Sequence, residues 1–226
     1  ALLGQTWDWI RELEELVVIM RYEYSDGRII TALTEPGMLA KMGLNNSGLG
    51  VCLNFLVSSH ELDGVPVHIV LRAILESATI NEAREKIVRS GRGKSSHFLV
   101  ADADGQCFGM EFAAGNCAEI GIQDGVLVHT NHCIGRNIES TMIPTSAERL
   151  AQARQHLSSL KSHTFEDMQN ILLDDSQGHE SIQSKYHAEE LLGGLEVGTC
   201  ATIIMDLHRQ KFYARKGPGT KRDFQC

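Results

Sequence analysis

The feature that most limits the fold is the order in which strand and helix signals arrive. Strand signals come in groups joined by short turns, and helix signals come in pairs between those groups. Residues 13–24 hold the β-branched run Val17-Val18-Ile19 and reach a partner at 28–34 through Ser25-Asp26-Gly27, a hairpin signal. Short strands are expected near 37–44 and 48–57, joined by Asn45-Asn46-Ser47-Gly48, which tolerates positive φ. Two helices follow. Pro66 suits a first helical position and 68–76 carries apolar residues at helical spacing. Thr79 and Glu82 form a capping box for the second, which stops at Gly91. Strands return at 95–102, 106–112, 117–122 and 125–130, with Asp104-Gly105 and Asp124-Gly125 as two-residue turns. A second helix pair is expected at 146–160, with Thr145 and Glu148 as a capping box, and at 165–173 with Thr164 as cap. The polar stretch 174–198 reads as loop, and 199–206 with 209–215 as a last strand pair.

A parallel α/β sheet needs strand and helix to alternate singly. This order points instead to an α+β fold, a four-layer αββα sandwich with antiparallel sheets inside and helices outside. A chain of 226 residues is long enough for one such domain over 1–226. The sequence begins at Ala1 in what reads as the middle of a strand, so a short leading segment is expected to be missing.

Composition serves to exclude. A net charge of −8 with dispersed basic residues argues against a nucleic-acid partner. No apolar run approaches the roughly 18 residues that span a bilayer, and no secretory signal is visible, so no membrane partner is expected. The six cysteines form no C-x-x-C pair and mostly sit in apolar runs. They read as buried free thiols in a reducing compartment, cytoplasmic or organellar.

Three polar residues stand out. Asp8 lies between Trp7 and Trp9, the only two tryptophans. Desolvating a carboxylate costs several kcal/mol unless hydrogen bonds compensate it. Asn54 and Asn131 each read as the polar end of an apolar strand. A rigid Asn in a dry cleft is a good donor to the oxyanion of acyl transfer, although either residue alone could simply bridge backbone groups. Trp7, Trp9 and Phe55 are the candidate substrate-binding neighbours, and Glu196 is a fourth. His129 and His132, beside Cys133, are three apart and face opposite sides of a strand, so no metal is expected. Glu12, Glu14 and Glu15 read as a solvated edge. The basic stretch 215–222 has no helix after it and reads as a solvated tail rather than a phosphate cradle.

The segments Gly4-Gln-Thr-Trp-Asp-Trp9, Asn45-Asn-Ser-Gly-Leu-Gly-Val-Cys-Leu-Asn-Phe55, Gly64-Val-Pro-Val-His-Ile-Val-Leu-Arg72, Cys107-Phe-Gly-Met-Glu-Phe112 and Val128-His-Thr-Asn-His-Cys133 carry a resemblance. In order and spacing the chain resembles the acyl-coenzyme A:6-aminopenicillanic acid acyltransferase family of N-terminal-nucleophile hydrolases, over essentially its whole length. Gly48-Leu49-Gly50 with Leu53-Asn54-Phe55 is more distantly similar to the choloylglycine hydrolases. The resemblance implies an αββα sandwich that cleaves itself from a precursor and exposes a cysteine. Its thiolate attacks an amide or thioester, with its own α-amine as base. An α-amine titrates at roughly 7.7–8, so the chemistry is reasonable at neutral pH.

Residue by residue, the resemblance puts Asp8 on the carboxylate near the nucleophile, Asn131 on the oxyanion donor and Asn54 on a second donor to the same hole. The nucleophile itself falls upstream of Ala1. None of the six cysteines matches its position; Cys52 and Cys133, the nearest to the two Asn residues, lack a free α-amine. Two departures weigh against a carboxylate-bearing penicillin nucleus. Glu196 stands where the family has an Arg, and Ile182-Gln183-Ser184 stands for its Ile-Cys-Arg. The implied reaction is hydrolysis or acyl transfer on a small N-acyl substrate, without a cofactor, acyl-coenzyme A remaining open as co-substrate. A cleaved pro-segment is a candidate partner, and the oligomeric state is not legible. The competing reading is an inactive sandwich that binds an acyl or amine ligand.

Overall fold

The computed structural model describes residues 1–58, 64–90, 95–113, 115–138, 140–141, 143–160, 162–219 and 223–226. Gly91, expected to stop the second helix, and residues 220–222 of the basic tail lie outside them.

After β1 (Leu2–Ile10) come β2 (Val18–Glu23), β3 (Ile29–Thr34), β4 (Met42–Asn45), β5 (Gly50–Phe55), β6 (Ser96–Ala101), β7 (Cys107–Ala113) and β8 (Asn116–Ile120). β2 to β8 form one seven-stranded antiparallel sheet in sequence order. Helices α1 (Val67–Leu75) and α2 (Ile80–Arg89) fall between β5 and β6. Helices α3 (Ser146–Ser158) and α4 (Phe165–Leu172) follow β8. β9 (His187–Glu189), β10 (Leu195–Asp206) and β11 (Lys211–Lys216) complete a smaller sheet of order β1-β10-β11, with β9 paired to the start of β10.

Side-chain alternation along the strands sorts the apolar residues into three cores, and these define the layers. Leu71, Ile74 and Ile87 of α1 and α2 pack on Val51, Phe98 and Val100 of the large sheet. Between the sheets, Leu3, Trp7 and Ile203 meet Leu33, Met42 and Cys52. On the other face of β10, Ile204 packs with Ala153 of α3 and Ile171 and Leu172 of α4. Ile203 and Ile204 thus point to opposite cores, and both are fully buried. The result is the α+β sandwich of four layers that the order of elements implies.

The departures are local. Residues 13–24 are not one strand: Arg11–Leu16 is a 3₁₀ turn and β2 starts at Val18. Of the acidic residues there, Glu12 and Glu15 are exposed, Glu15 beside Lys216 at 2.8 Å, while Glu14 is anchored by the Tyr186 hydroxyl. β4 begins only at Met42, because Gly37 at φ 88° turns the chain first. Stretch 125–130 is not a strand. Asp124 and Gly125, both at positive φ, close a single bridge between Gln123 and Val126, after which the chain leaves the sheet. Thr145 has helical backbone angles and caps nothing with its side chain, whereas Thr164 and Asp167 do form a capping box. The stretch 174–198, expected as loop, contains two 3₁₀ turns, β9 and the start of β10. Arg215 of the basic stretch is buried and donates to the Gln183 side chain at 2.8 Å. Only Cys52 and Cys200 of the six free cysteines are buried, while Cys117 and Cys226 are exposed.

One polar side chain ties the two sheets together. β4 pairs with β5 at Gly50 and Val51, and further along β5 the Leu53 backbone has no strand neighbour on that side among the described residues. Gln5 of β1 fills the gap: its Oε1 accepts from Leu53 N at 2.9 Å and its Nε2 donates to Leu53 O. Gln5→Ala strands both groups. A loss of about 1–3 kcal/mol in urea unfolding is expected, from the cost of unpaired buried backbone. An unchanged midpoint would mean that water replaces the side chain.

Candidate active site

A cleft of about 1550 Å³ runs along β1 to the end of β5, residues 126–131 and helices α3 and α4. Asp8, Asn54, Asn131 and the aromatic residues Trp7, Trp9 and Phe55 all line it. Glu196 does not. It is exposed on β10 and forms an ion pair with Arg11 at 2.7 Å, so its predicted place at the substrate is corrected. Arg149 on α3, which sequence reasoning missed, lines the cleft, as do Lys41 and Arg209.

Asp8 owes its position to a bulge. Trp7 pairs with Ala201 but Asp8 pairs with Thr199, which leaves Cys200 as the extra residue. This brings the Thr199 hydroxyl 2.6 Å from Asp8 Oδ1. The Thr199 oxygen accepts from Ser184 N at 2.9 Å, so its proton is directed at the carboxylate. Burial raises the Asp8 pKa above the ordinary aspartate value; Arg149, Thr199 and His187 pull the other way without cancelling it. A raised carboxyl pKa means the folded chain holds more protons than the unfolded one above the ordinary value. Stability therefore falls as pH rises through that window, and the deficit remains at neutral pH. Asp8→Asn keeps an oxygen to accept from Thr199 and removes the buried charge. For residues 1–226, which bring no upstream α-ammonium to Asp8, the melting midpoint of the variant at neutral pH is expected at or above that of the parent, and at pH 3 the gap should close. A neutral-pH midpoint well below the parent would overturn this reading.

Asn131 lies in a loop, not at a strand end as the sequence suggested. Its orientation is fixed at both ends of the amide. Arg149 Nη2, which can only donate, lies 2.9 Å from Asn131 Oδ1, and Phe55 O, which can only accept, lies 3.0 Å from its Nδ2. Ser146 at the start of α3 receives the Asn131 backbone N–H at 2.8 Å and also bonds His132 Nδ1 at 2.7 Å. Ser146 and Arg149 lie one helical turn apart and so share the face that grips this loop. That i, i+3 polar pair is the signal in the sequence that could have revealed Arg149. Among the described residues, Phe55 O is the one acceptor recorded for the Asn131 Nδ2 hydrogens.

Asn54 is the penultimate residue of β5, and its Oδ1 lies 3.1 Å from His97 Nδ1 and 3.0 Å from His129 Nδ1. Trp7 is buried beneath the Lys41 ammonium, which sits 3.9 Å from its ring centroid and pairs with Glu35. The thiols nearby are not activated. Burial pushes Cys52 far up and Cys133 upward, and it raises Cys107 and Cys200 to about 11. His129 and His132 turn to different partners, Glu111 and Ser146.

Two antiparallel sheets between helix layers, with a buried carboxylate and two Asn amides on one cleft, define the sandwich of the N-terminal-nucleophile hydrolase type. The chain belongs to the family described as acyl-coenzyme A:6-aminopenicillanic acid acyl-transferase, which matches residues 1–218. It is 35% identical over 224 residues to the 40 kDa form of acyl-coenzyme A:6-aminopenicillanic-acid-acyltransferase from Emericella nidulans. That match covers 96% of this chain and 61% of the relative, so the chain spans under two thirds of that protein. Among solved structures, the N-acylethanolamine-hydrolyzing acid amidase ortholog of Caenorhabditis elegans matches with a TM-score of 0.68 at 16% identity, covering 96% of this chain and 94% of that one. A variant of conjugated bile acid hydrolase from Clostridium perfringens matches with a TM-score of 0.65 at 14% identity, covering 99% and 87%. At these identities the two structures speak for the fold.

Proposed function

We propose that this chain forms the body of a cysteine N-terminal-nucleophile amide hydrolase or acyltransferase acting on a small N-acyl compound. The observation that carries this reading is the convergence of Asp8, Asn54, Asn131 and Arg149 on one cleft. The nucleophile is a cysteine upstream of Ala1, exposed when a pro-segment is cleaved. Its thiolate attacks the acyl carbon and the carbon–nitrogen bond breaks. The leaving amine takes a proton from the α-ammonium, which Asp8 orients and balances. The amide hydrogens of Asn131 and Asn54 hold the developing oxyanion. Water or an amine then takes the acyl group, with acyl-coenzyme A as an alternative donor. The aromatic rings of Trp7, Trp9 and Phe55 supply apolar contact for the substrate.

The test uses the complete protein, acid-quenched during turnover of an N-acyl substrate and analysed by mass spectrometry. An N-terminal cysteine peptide heavier by the acyl group is expected. Binding without any acylated peptide would favour the inactive, ligand-binding sandwich instead.

A further inference from the structure

Behind Asn54 lies a buried polar row that the mechanism above does not use. Asn54 pairs with His97 across β5 and β6, and His97 pairs with Glu111 across β6 and β7. Directly paired residues share a face of the sheet, so all three side chains stand on the inner face. His129 comes in from the loop and stacks on His97, with ring centroids 3.5 Å apart and planes at 15°. Its Nε2 lies 2.8 Å from Glu111 Oε1. The Glu111 carboxylate also accepts from Ile134 N at 2.7 Å and Gly135 N at 2.9 Å. His97 and Glu111 have no exposed surface at all.

We propose that Glu111, His129 and His97 are positioning residues that hold the Asn54 amide with its nitrogen, not its oxygen, toward the cleft. This rests on the reading of Asn54 as an oxyanion donor. The carboxylate can only accept, so His129 carries a hydrogen on Nε2, and the two Nδ1 groups donate to Asn54 Oδ1. Two donors saturate the amide oxygen, and Nδ2 with its hydrogens faces the other way. An Asn χ2 torsion is broad and nearly two-fold, so nothing intrinsic to the side chain selects this orientation. The reversed amide would aim an oxygen at the oxyanion and repel it. Gly109 leaves room for the arrangement, because a Cβ there would collide with His97 Nε2. Burial, and then the neighbouring His129, hold His97 well below the usual histidine range, which keeps it a neutral donor. A carboxylate and two imidazoles are a costly way to fill the inside of a sheet, where apolar side chains would be as stable or more so.

A double-mutant cycle on the complete protein tests this, with a medium-chain N-acyl p-nitroanilide as the probe substrate. Gln places its amide near the His Nε2 position and Asn near Nδ1. His129→Gln therefore keeps the Glu111 contact and loses the donor to Asn54. It is expected to lower kcat on the order of 10²-fold at unchanged KM, the scale of a small misplacement at a reacting centre. His129→Asn retains that donor and should recover most of the loss, which also shows that the fold tolerates the site. In an Asn54→Ala background, His129→Gln should cost nothing further. Equal losses in both backgrounds, or no rescue by Asn, would overturn the positioning role while leaving the oxyanion reading in place. An Asn54→Ala variant with full kcat would instead overturn the oxyanion reading, and the positioning role with it.

Discussion

Replacing Asn131 by Ala is expected to lower kcat of the complete protein by roughly 10²–10³-fold, or about 2.7–4 kcal/mol of transition-state stabilisation. The size follows from how firmly the amide is held. Arg149 fixes its oxygen and Phe55 O takes one of its hydrogens, so the other is aimed before substrate arrives. A donor that needs no reorganisation contributes most where charge develops. The fall should appear in kcat with little change in KM, because the contact strengthens as the oxyanion forms. Steady-state kinetics on the acyl substrate measures both, and an unchanged kcat would remove Asn131 from the mechanism.

The largest effect on stability is expected at Lys41. Its ammonium lies 2.5 Å from Glu35 Oε1, and both side chains are only 8% exposed. Burial lowers the Lys41 pKa and Glu35 opposes the shift. Lys41→Ala leaves the carboxylate buried without its counter-charge and takes the cation off the Trp7 ring. A loss of about 3–5 kcal/mol is expected, a large part of a typical total of about 5–15. The double variant Lys41→Met with Glu35→Gln should recover most of it, because neither buried charge then remains. Urea unfolding of the three proteins decides; a double variant as unstable as Lys41→Ala would place the loss in the Trp7 contact rather than the ion pair.

Some of this was legible in the sequence, for physical reasons. Turns announced themselves wherever one residue type dominates. Asp104-Gly105 and Asn45–Gly48 close hairpins as their chemistry requires, and Gly48 takes φ 80°. The paired helix blocks implied layers, and period-two alternation filled them. Elements held by tertiary contacts were not legible. Nothing local shows that Leu127–Asn131 leaves the sheet, since Leu-Val-His-Thr has strand propensity; its bonds go to Ser146 and Arg149 on a helix. The site divides the same way. Asp8, Asn54 and Asn131 stood out as polar residues in apolar settings. Thr199 and the Glu111–His129 pair look ordinary in sequence and acquire their meaning from packing alone, and Arg149 carried only its i, i+3 spacing from Ser146. Glu196 misled because alignment gives a position along β10 but not which side of the strand it faces.

The bond between Asp8 and Thr199 joins residues 191 apart in the chain. Strand β1 pairs with β10, so the long stretch between them closes into one loop before the carboxylate is seated. Closing so long a loop is slow compared with forming the neighbouring hairpins of the seven-stranded sheet. During synthesis the large sheet can assemble before β10 and β11 are made, but the cleft cannot. Any chemistry that needs Asp8 in place is thereby withheld until β10 has docked on β1.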